Sequence, residues 1–195
     1  MEHETFERTI PEGYKEIYHI DAADKKTGLL FTLGSLVIAA FIIFLVFKGI
    51  SFGTLNFNEM LKYEIVLIAF LLIYIVLHEL THGAVYKALT HEKLKFGITW
   101  SAAFCGVPDI YTYRSTALKS LVAPLSVFSV ILIPLSLYLR NVDLGWYLVS
   151  GILLAMHISG CIGDLYVTFL FLTKFKDPAT LMRDTGPEQW IYIKD

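Results

Sequence analysis

The chain has 195 residues, a formal charge of −2, and 55% hydrophobic against 17% charged side chains. Soluble domains carry roughly a quarter of their residues charged, so this balance, with a mean hydropathy of +0.59, predicts an integral membrane protein. The near-zero charge offers no basic field and argues against a nucleic-acid partner. Two cysteines, Cys105 and Cys161, make neither a disulfide framework nor a C-x-x-C metal knuckle.

Residues 1–27 are polar, too acidic and too long for the leading region of a cleavable signal peptide, and read as a cytoplasmic N-terminal segment. Gly28–Phe47 follows as twenty residues without a charge, enough for a helix to cross a hydrocarbon layer of about 30 Å. Lys25 and Lys26 would anchor it at the headgroups.

The second span is expected over about residues 61–86. It contains Ile65–Leu77, an apolar run broken only by the Tyr74 hydroxyl, and directly behind it His78-Glu79-Leu80-Thr81-His82. In this H-E-x-x-H pattern a helix carries positions i and i+4 on one face. His78 and His82 can therefore offer two imidazole nitrogens to one Zn²⁺, while Glu79 is placed to act as a base. Ionisable groups inside a membrane helix cost roughly 2.5–3.5 kcal/mol each on insertion scales, and three clustered there call for a partner such as a metal.

The cytoplasmic loop 87–119 has two open readings. In one, Lys95–Phe104 and Ile110–Tyr113 form a β-hairpin around the Gly and Pro turn of Cys105–Asp109, with an edge strand near the metal that pairs with an unwound substrate. In the other, the loop is a folded connection that rests its aromatic residues in the membrane interface. A third span at 120–139 contains Pro124 and Pro134, expected to kink it. A fourth at 144–173 has Asp164 as its only charge. The tail 174–195 and the N-terminal segment each hold a short β-prone stretch, Gln189–Ile193 and Ile10–Tyr18, which are expected to pair into a small sheet below the membrane.

Thirteen of the sixteen Lys and Arg residues fall in the N-terminal segment, the 87–119 loop and the tail. Lys48, Lys62 and Arg140 alone lie on the other side, so the positive-inside rule puts both termini and the loop in the cytoplasm. The expected fold is thus an all-α membrane protein of about four transmembrane helices, N-in and C-in, with room for a cytoplasmic β-hairpin between the second and third, and with residues 28–173 as a single four-helix transmembrane domain.

Zinc needs a third protein ligand. The metzincin pattern would require Gly at position 85 and His at 88, where the chain has Val85 and Ala88, and no Glu occurs between Glu92 and Glu188 to serve as in thermolysin-like enzymes. Asp109, Asp143, His157 and Asp164 remain. Counting 1.5 Å per residue from Lys87 puts His82 about 7 Å and His78 about 13 Å inside their helix, and counting from Lys174 puts Asp164 about 15 Å in, the same layer. His157 would lie about 25 Å in, Asp143 in the external loop, and Asp109 in a turn beside Pro108. Asp164 is therefore the preferred ligand, flanked by Gly160 and Gly163, which leave room for a neighbour to approach. His157 reads first as a satisfied core histidine and second as a group supporting a ligand or an oxyanion.

The H-E-x-x-H closing one membrane helix, the basic loop, Leu121-Val122-Ala123-Pro124-Leu125 opening the next helix and Gly163-Asp164 in a later one together resemble the site-2 protease superfamily of intramembrane zinc metalloproteases. The compact four-span layout is similar to a small family of membrane zincins related to it. The resemblance implies Zn²⁺ held by His78, His82 and Asp164, Glu79 as general base, and hydrolysis of membrane or membrane-proximal peptides by a zinc-activated water. It also implies a multi-pass protein of a prokaryotic plasma membrane with its site near the cytoplasmic face. The chain departs from the superfamily in its Gly163-Asp164-Leu165 order, where Asp-Gly is usual, and in lacking an upstream Asn, for which His157 would have to stand in. The rival class is a non-hydrolytic metal-binding membrane protein, a sensor or pseudoprotease.

Overall fold

A computed structural model describes residues 5–50, 56–99 and 102–195 of the chain. In chain order the elements are β1 (Phe6–Glu7), β2 (Tyr14–Asp21), α1 (Lys25–Phe47), α2 (Phe57–Thr90), β3 (Lys95–Ile98), β4 (Ala103–Gly106), β5 (Tyr111–Tyr113), α3 (Arg114–Leu139), α4 (Leu144–Gly160), α5 (Ile162–Thr173), β6 (Leu181–Asp184) and β7 (Glu188–Lys194).

Helix starts follow from capping chemistry. Asp24 accepts from the backbone N–H groups of Lys26 and Thr27 at 3.0 and 3.1 Å at the head of α1, and these bonds hold its carboxyl below the usual range. At α2, Asn56 and Glu59 form a reciprocal capping box, each side chain accepting the other's N–H at 3.0–3.1 Å. Asp143 caps α4 through Trp146 N–H at 2.8 Å. A carboxylate weighed above as a metal ligand thus serves as a helix cap.

Helices α1, α2 and α3 are each long and apolar enough to cross a membrane, and α4 with α5 makes a fourth crossing if the pair is taken as one broken span. Leu36, Val37 and Phe41 of α1, Ile65 and Leu72 of α2 and Val130 and Leu137 of α3 are all exposed. Apolar faces of this extent suit lipid. α3 runs on through Pro124 and Pro134 without a break in helix. The fourth segment, continuous by hydropathy, is interrupted at Cys161, so that Asp164 stands in the first turn of a new helix.

The all-α expectation is corrected by a five-stranded antiparallel sheet of order β1-β5-β6-β7-β2 and a separate β3–β4 hairpin. The expected pairing of the tails is present: β2 runs against β7 from Tyr14↔Lys194 to Asp21↔Glu188, with an irregularity between Glu16 and Tyr18. The expected hairpin partner is not. β3 pairs with β4, which includes Cys105 and Gly106, while Tyr111–Tyr113 joins the large sheet beside β1 and β6. Beyond the ladder, Thr99 N–H donates to Ala102 O at 2.8 Å. Trp100 and Ser101 of the predicted strand lie outside the described residues.

The chain divides into two compact units. One comprises residues up to Phe31, Leu77–Pro124 and Gly163–Asp195. Its core gathers Ile20, Ala117, Leu121, Val167, Phe171, Met182 and Ile191, and a second cluster joins Tyr86, Val107 and Ile110. Arg114 donates from Nε and Nη2 to the Phe171 carbonyl at 3.1 and 3.0 Å, tying the head of α3 to the end of α5. The other unit comprises Thr32–Val76 and Leu125–Ile162. There, Tyr63 donates to Asp143 at 3.1 Å and Tyr147 to the Val46 carbonyl at 2.8 Å.

Candidate metal centre

Two faces of the last turns of α2 carry the chemistry. His78, His82 and Tyr86 recur at i, i+4 and i+8 and share one face, and Glu79 and Gly83 share the next. All five belong to the first unit, as do α5 from Gly163 onward, the head of α3 and every strand.

On the first face the Nε2 atoms of His78 and His82 lie 3.2 Å apart. Asp164 Oδ2 stands 3.4 Å from the former and 3.3 Å from the latter. Ligands at about 2.0–2.1 Å from a tetrahedral zinc are about 3.3 Å from one another, so these three atoms outline one face of such a tetrahedron. Among the described residues they form the one group of three or more His, Cys, Asp or Glu side chains able to share a metal. Both imidazoles are buried. The break at Cys161 delivers the carboxylate, since it starts α5 and places Asp164 beside the N-terminal end of a helix dipole, where negative charge is favoured.

His82 is oriented from behind. Its Nδ1 lies 2.9 Å from the Ser120 carbonyl oxygen, which can only accept, so Nδ1 carries a proton and Nε2 is the ring nitrogen turned to the centre. That orientation is the one a metal requires, and the set fits zinc by both chemistry and spacing.

The second face lies against the β3–β4 hairpin. The hairpin comes this near because residue 83 is glycine: a Cβ there would fall 2.9 Å from Phe96 and 3.2 Å from Cys105 Sγ. The Cys105 thiol is pushed up to about 12, chiefly by burial and then by the charges of Asp184 and Glu79, which keeps it protonated and unreactive.

A further carboxylate stands nearby in β6. Asp184 accepts from the Tyr86 hydroxyl at 2.7 Å and from Gly186 N–H at 2.8 Å, and burial pushes it up to about 6 against those bonds. The sequence reading missed Asp184, Tyr86 and Ser120. Only Tyr86 had a local signal, since it continues the His78–His82 stripe by one turn.

Of the other residues singled out, Asp109 is exposed in the turn after β4. His157 belongs to the second unit, fully buried, with Nδ1 2.9 Å from the Tyr74 hydroxyl and Nε2 3.0 Å from Ser129 Oγ. The close approach expected at Gly160 and Gly163 is not seen: among the described residues nothing lies within 4 Å of a Cβ built on either.

A family model described as putative zincin peptidase matches residues 71–178, from the apolar run before His78 to just past α5. Searches of curated proteins and of solved structures find no match.

Proposed function

Because the chain belongs to the putative zincin peptidase family, we propose that it is an intramembrane zinc metalloprotease of site-2 type, cutting peptide bonds of membrane or membrane-proximal substrates. The observation that carries this reading is the triangle of His78, His82 and Asp164 ligand atoms with edges of 3.2–3.4 Å beside an unpaired-by-metal carboxylate, Glu79. When bound, zinc would supply Lewis acidity, lowering the pKa of a water from about 15.7 toward 7 and polarising a carbonyl.

The chain's own residues do the rest. His78, His82 and Asp164 would hold the ion. Ser120 fixes the His82 ring. Glu79 is the base that would take a proton from the attacking water and deliver it to the leaving amine. The β3–β4 hairpin is placed to receive an unwound substrate as an added strand, because a two-stranded sheet offers main-chain donors and acceptors at its edges and a helical peptide hides its scissile bond.

Sheet order supports the N-in, C-in arrangement. One sheet is built from the N-terminal segment (β1, β2), the loop after α2 (β5) and the tail (β6, β7), which supports putting all three on the same side of the bilayer. The basic residues of those segments favour the cytoplasm as that side. Apolar faces on α1, α2 and α3 are the surfaces that would contact lipid.

Glu79→Gln tests the proposal. Membrane fractions from cells making the wild type should accumulate new peptide ends within or beside apolar segments, and the variant should lose them by at least 10²-fold, the lower range for a general base, with zinc content unchanged. Equal peptide ends from both proteins, with zinc bound in each, would favour the non-hydrolytic metal-binding class.

A further inference from the structure

Asp184 lies beyond the segment matched by the family model, which ends at residue 178, yet it is buried to 4% exposure next to the candidate centre. A carboxyl group is kept in such a place only when its oxygens are used. Both are: Oδ2 accepts from Tyr86 at 2.7 Å and Oδ1 from Gly186 N–H at 2.8 Å. Its main-chain oxygen also accepts, from Val107 N–H at 2.8 Å.

Two paths lead from it. Along the first, Tyr86 stands one turn beyond His82 on the same face of α2, and the His82 turn is itself held to α3, where the Ser120 hydroxyl donates to the His82 main-chain oxygen at 3.4 Å and the Ser120 carbonyl accepts from His82 Nδ1 at 2.9 Å. Asp184 thus ties to β6 the turn of α2 that follows a ligand imidazole. Along the second, Val107 continues β4, whose Cys105 Sγ lies 3.2 Å from where a Cβ on Gly83 of α2 would stand. Here the backbones nearly touch: a Cβ on Gly106 would lie 2.4 Å from Gly186 N and 2.9 Å from Asp184 O. If this contact served only to glue a hairpin to a helix, a packed apolar pair would do as well. What an apolar pair lacks is a directional bond that fixes the rotation of the last turns of α2 and, with it, the direction in which His82 is presented.

We infer that Asp184 and Tyr86 are positioning residues for the metal centre, a buried pair that fixes the turn of α2 behind His82 against β6 while the Asp184 main chain steadies the strand that packs on Gly83. The inference rests on the metal reading of His78, His82 and Asp164. It extends the working part of the protein into the C-terminal hairpin of β6 and β7.

The test uses full-length protein purified in detergent and stripped of metal, at a temperature where circular dichroism shows each variant folded. Zinc affinity is measured by competition with a chromophoric chelator, and ligand geometry by the visible bands of bound Co²⁺. Tyr86→Phe and Asp184→Ala should each weaken zinc by about 10–100-fold, the usual effect of losing a ligand's supporting partner, and shift the Co²⁺ bands. The double variant should be no weaker than either single one, since both break the same path. Asp184→Asn, which can bond both Gly186 and Tyr86, should recover most of the loss.

Ile191→Ala, in the core of the same hairpin but off the path, should lower thermal stability and leave affinity and spectrum unchanged. Wild-type affinity and bands in Tyr86→Phe and Asp184→Ala would overturn the inference, as would an equal loss in Ile191→Ala. Should Asp184→Ala fail to fold, Tyr86→Phe decides alone, because it removes a single oxygen. A wild type that takes up no metal, or a His82→Ala variant that binds as the wild type does, would overturn the metal reading and this inference with it.

Discussion

Replacing Asp164 with Asn probes the centre with the least change of shape. The carboxylate Oδ2 stands 3.4 and 3.3 Å from the two imidazole nitrogens, and an amide oxygen can occupy the same point with no charge. Structural zinc sites with four ligands bind with an apparent ~10–16 kcal/mol, about 2.5–4 kcal/mol for each ligand. An uncharged oxygen in place of an anionic one should forfeit most of one such share, about 3 kcal/mol, or roughly a hundredfold in Kd. Chelator competition on the purified, detergent-solubilised variant reads this directly, with metal content by mass spectrometry giving the stoichiometry. His157→Ala serves as the comparison and should keep wild-type affinity, because both its ring nitrogens are engaged with Tyr74 and Ser129. Loss of metal in His157→Ala with full affinity in Asp164→Asn would refute the ligand assignment and the spacing argument behind it.

Other outcomes follow from the same geometry. Gly106→Ala should lower the melting temperature by several degrees, an overpacking cost of about 1–3 kcal/mol, because the added methyl meets main chain at 2.4 Å rather than a movable side chain; an unchanged melting curve would count against the close packing of β4 on the Asp184–Gly186 turn. Metal-free protein should show a pH dependence traceable to Asp184. Its folded pKa of about 6 lies above an unfolded value of about 3.9, so the stability it contributes is complete below about pH 4 and is lost as the pH rises through 6. Subtracting the melting-temperature profile of Asp184→Asn from that of the wild type should isolate that fall, and parallel profiles would refute it. His157→Ala should also cost about 1–3 kcal/mol in thermal stability by breaking the bonds to the Tyr74 and Ser129 hydroxyls, even as metal uptake is retained.

What could be read from the sequence was what depends on local period and on the cost of burying charge. The His78–His82 spacing and the apolar run before it locate the helix that carries the candidate centre. Arithmetic on helical rise brought Asp164 to the layer of the histidines, although the interruption at Cys161 that puts it in a fresh first turn leaves no trace in hydropathy, since 144–173 stays apolar throughout. The β-prone tails were visible because Ile191, Tyr192 and Ile193 strongly favour extended backbone. The strand ladder that unites them with Tyr111–Tyr113 is a long-range choice that no local pattern encodes. Gly106 illustrates the limit: read as turn chemistry beside Pro108, it is a strand residue whose missing side chain admits another backbone. Asp184 was illegible for the same reason, because its partner Tyr86 is distant in the chain and only tertiary packing joins them.

Threading has a bearing on when the protein becomes competent. Asp184 and β7 come after His78, His82 and Asp164 in the chain, and β7 must close against β2 from the opposite end. On the proposed reading, a nascent polypeptide acquires both imidazoles and the aspartate while the clamp that aims them is still unmade. Hydrolysis would then wait on the late strands, a built-in delay that shields newly inserted neighbours, and the protein itself, from premature cutting.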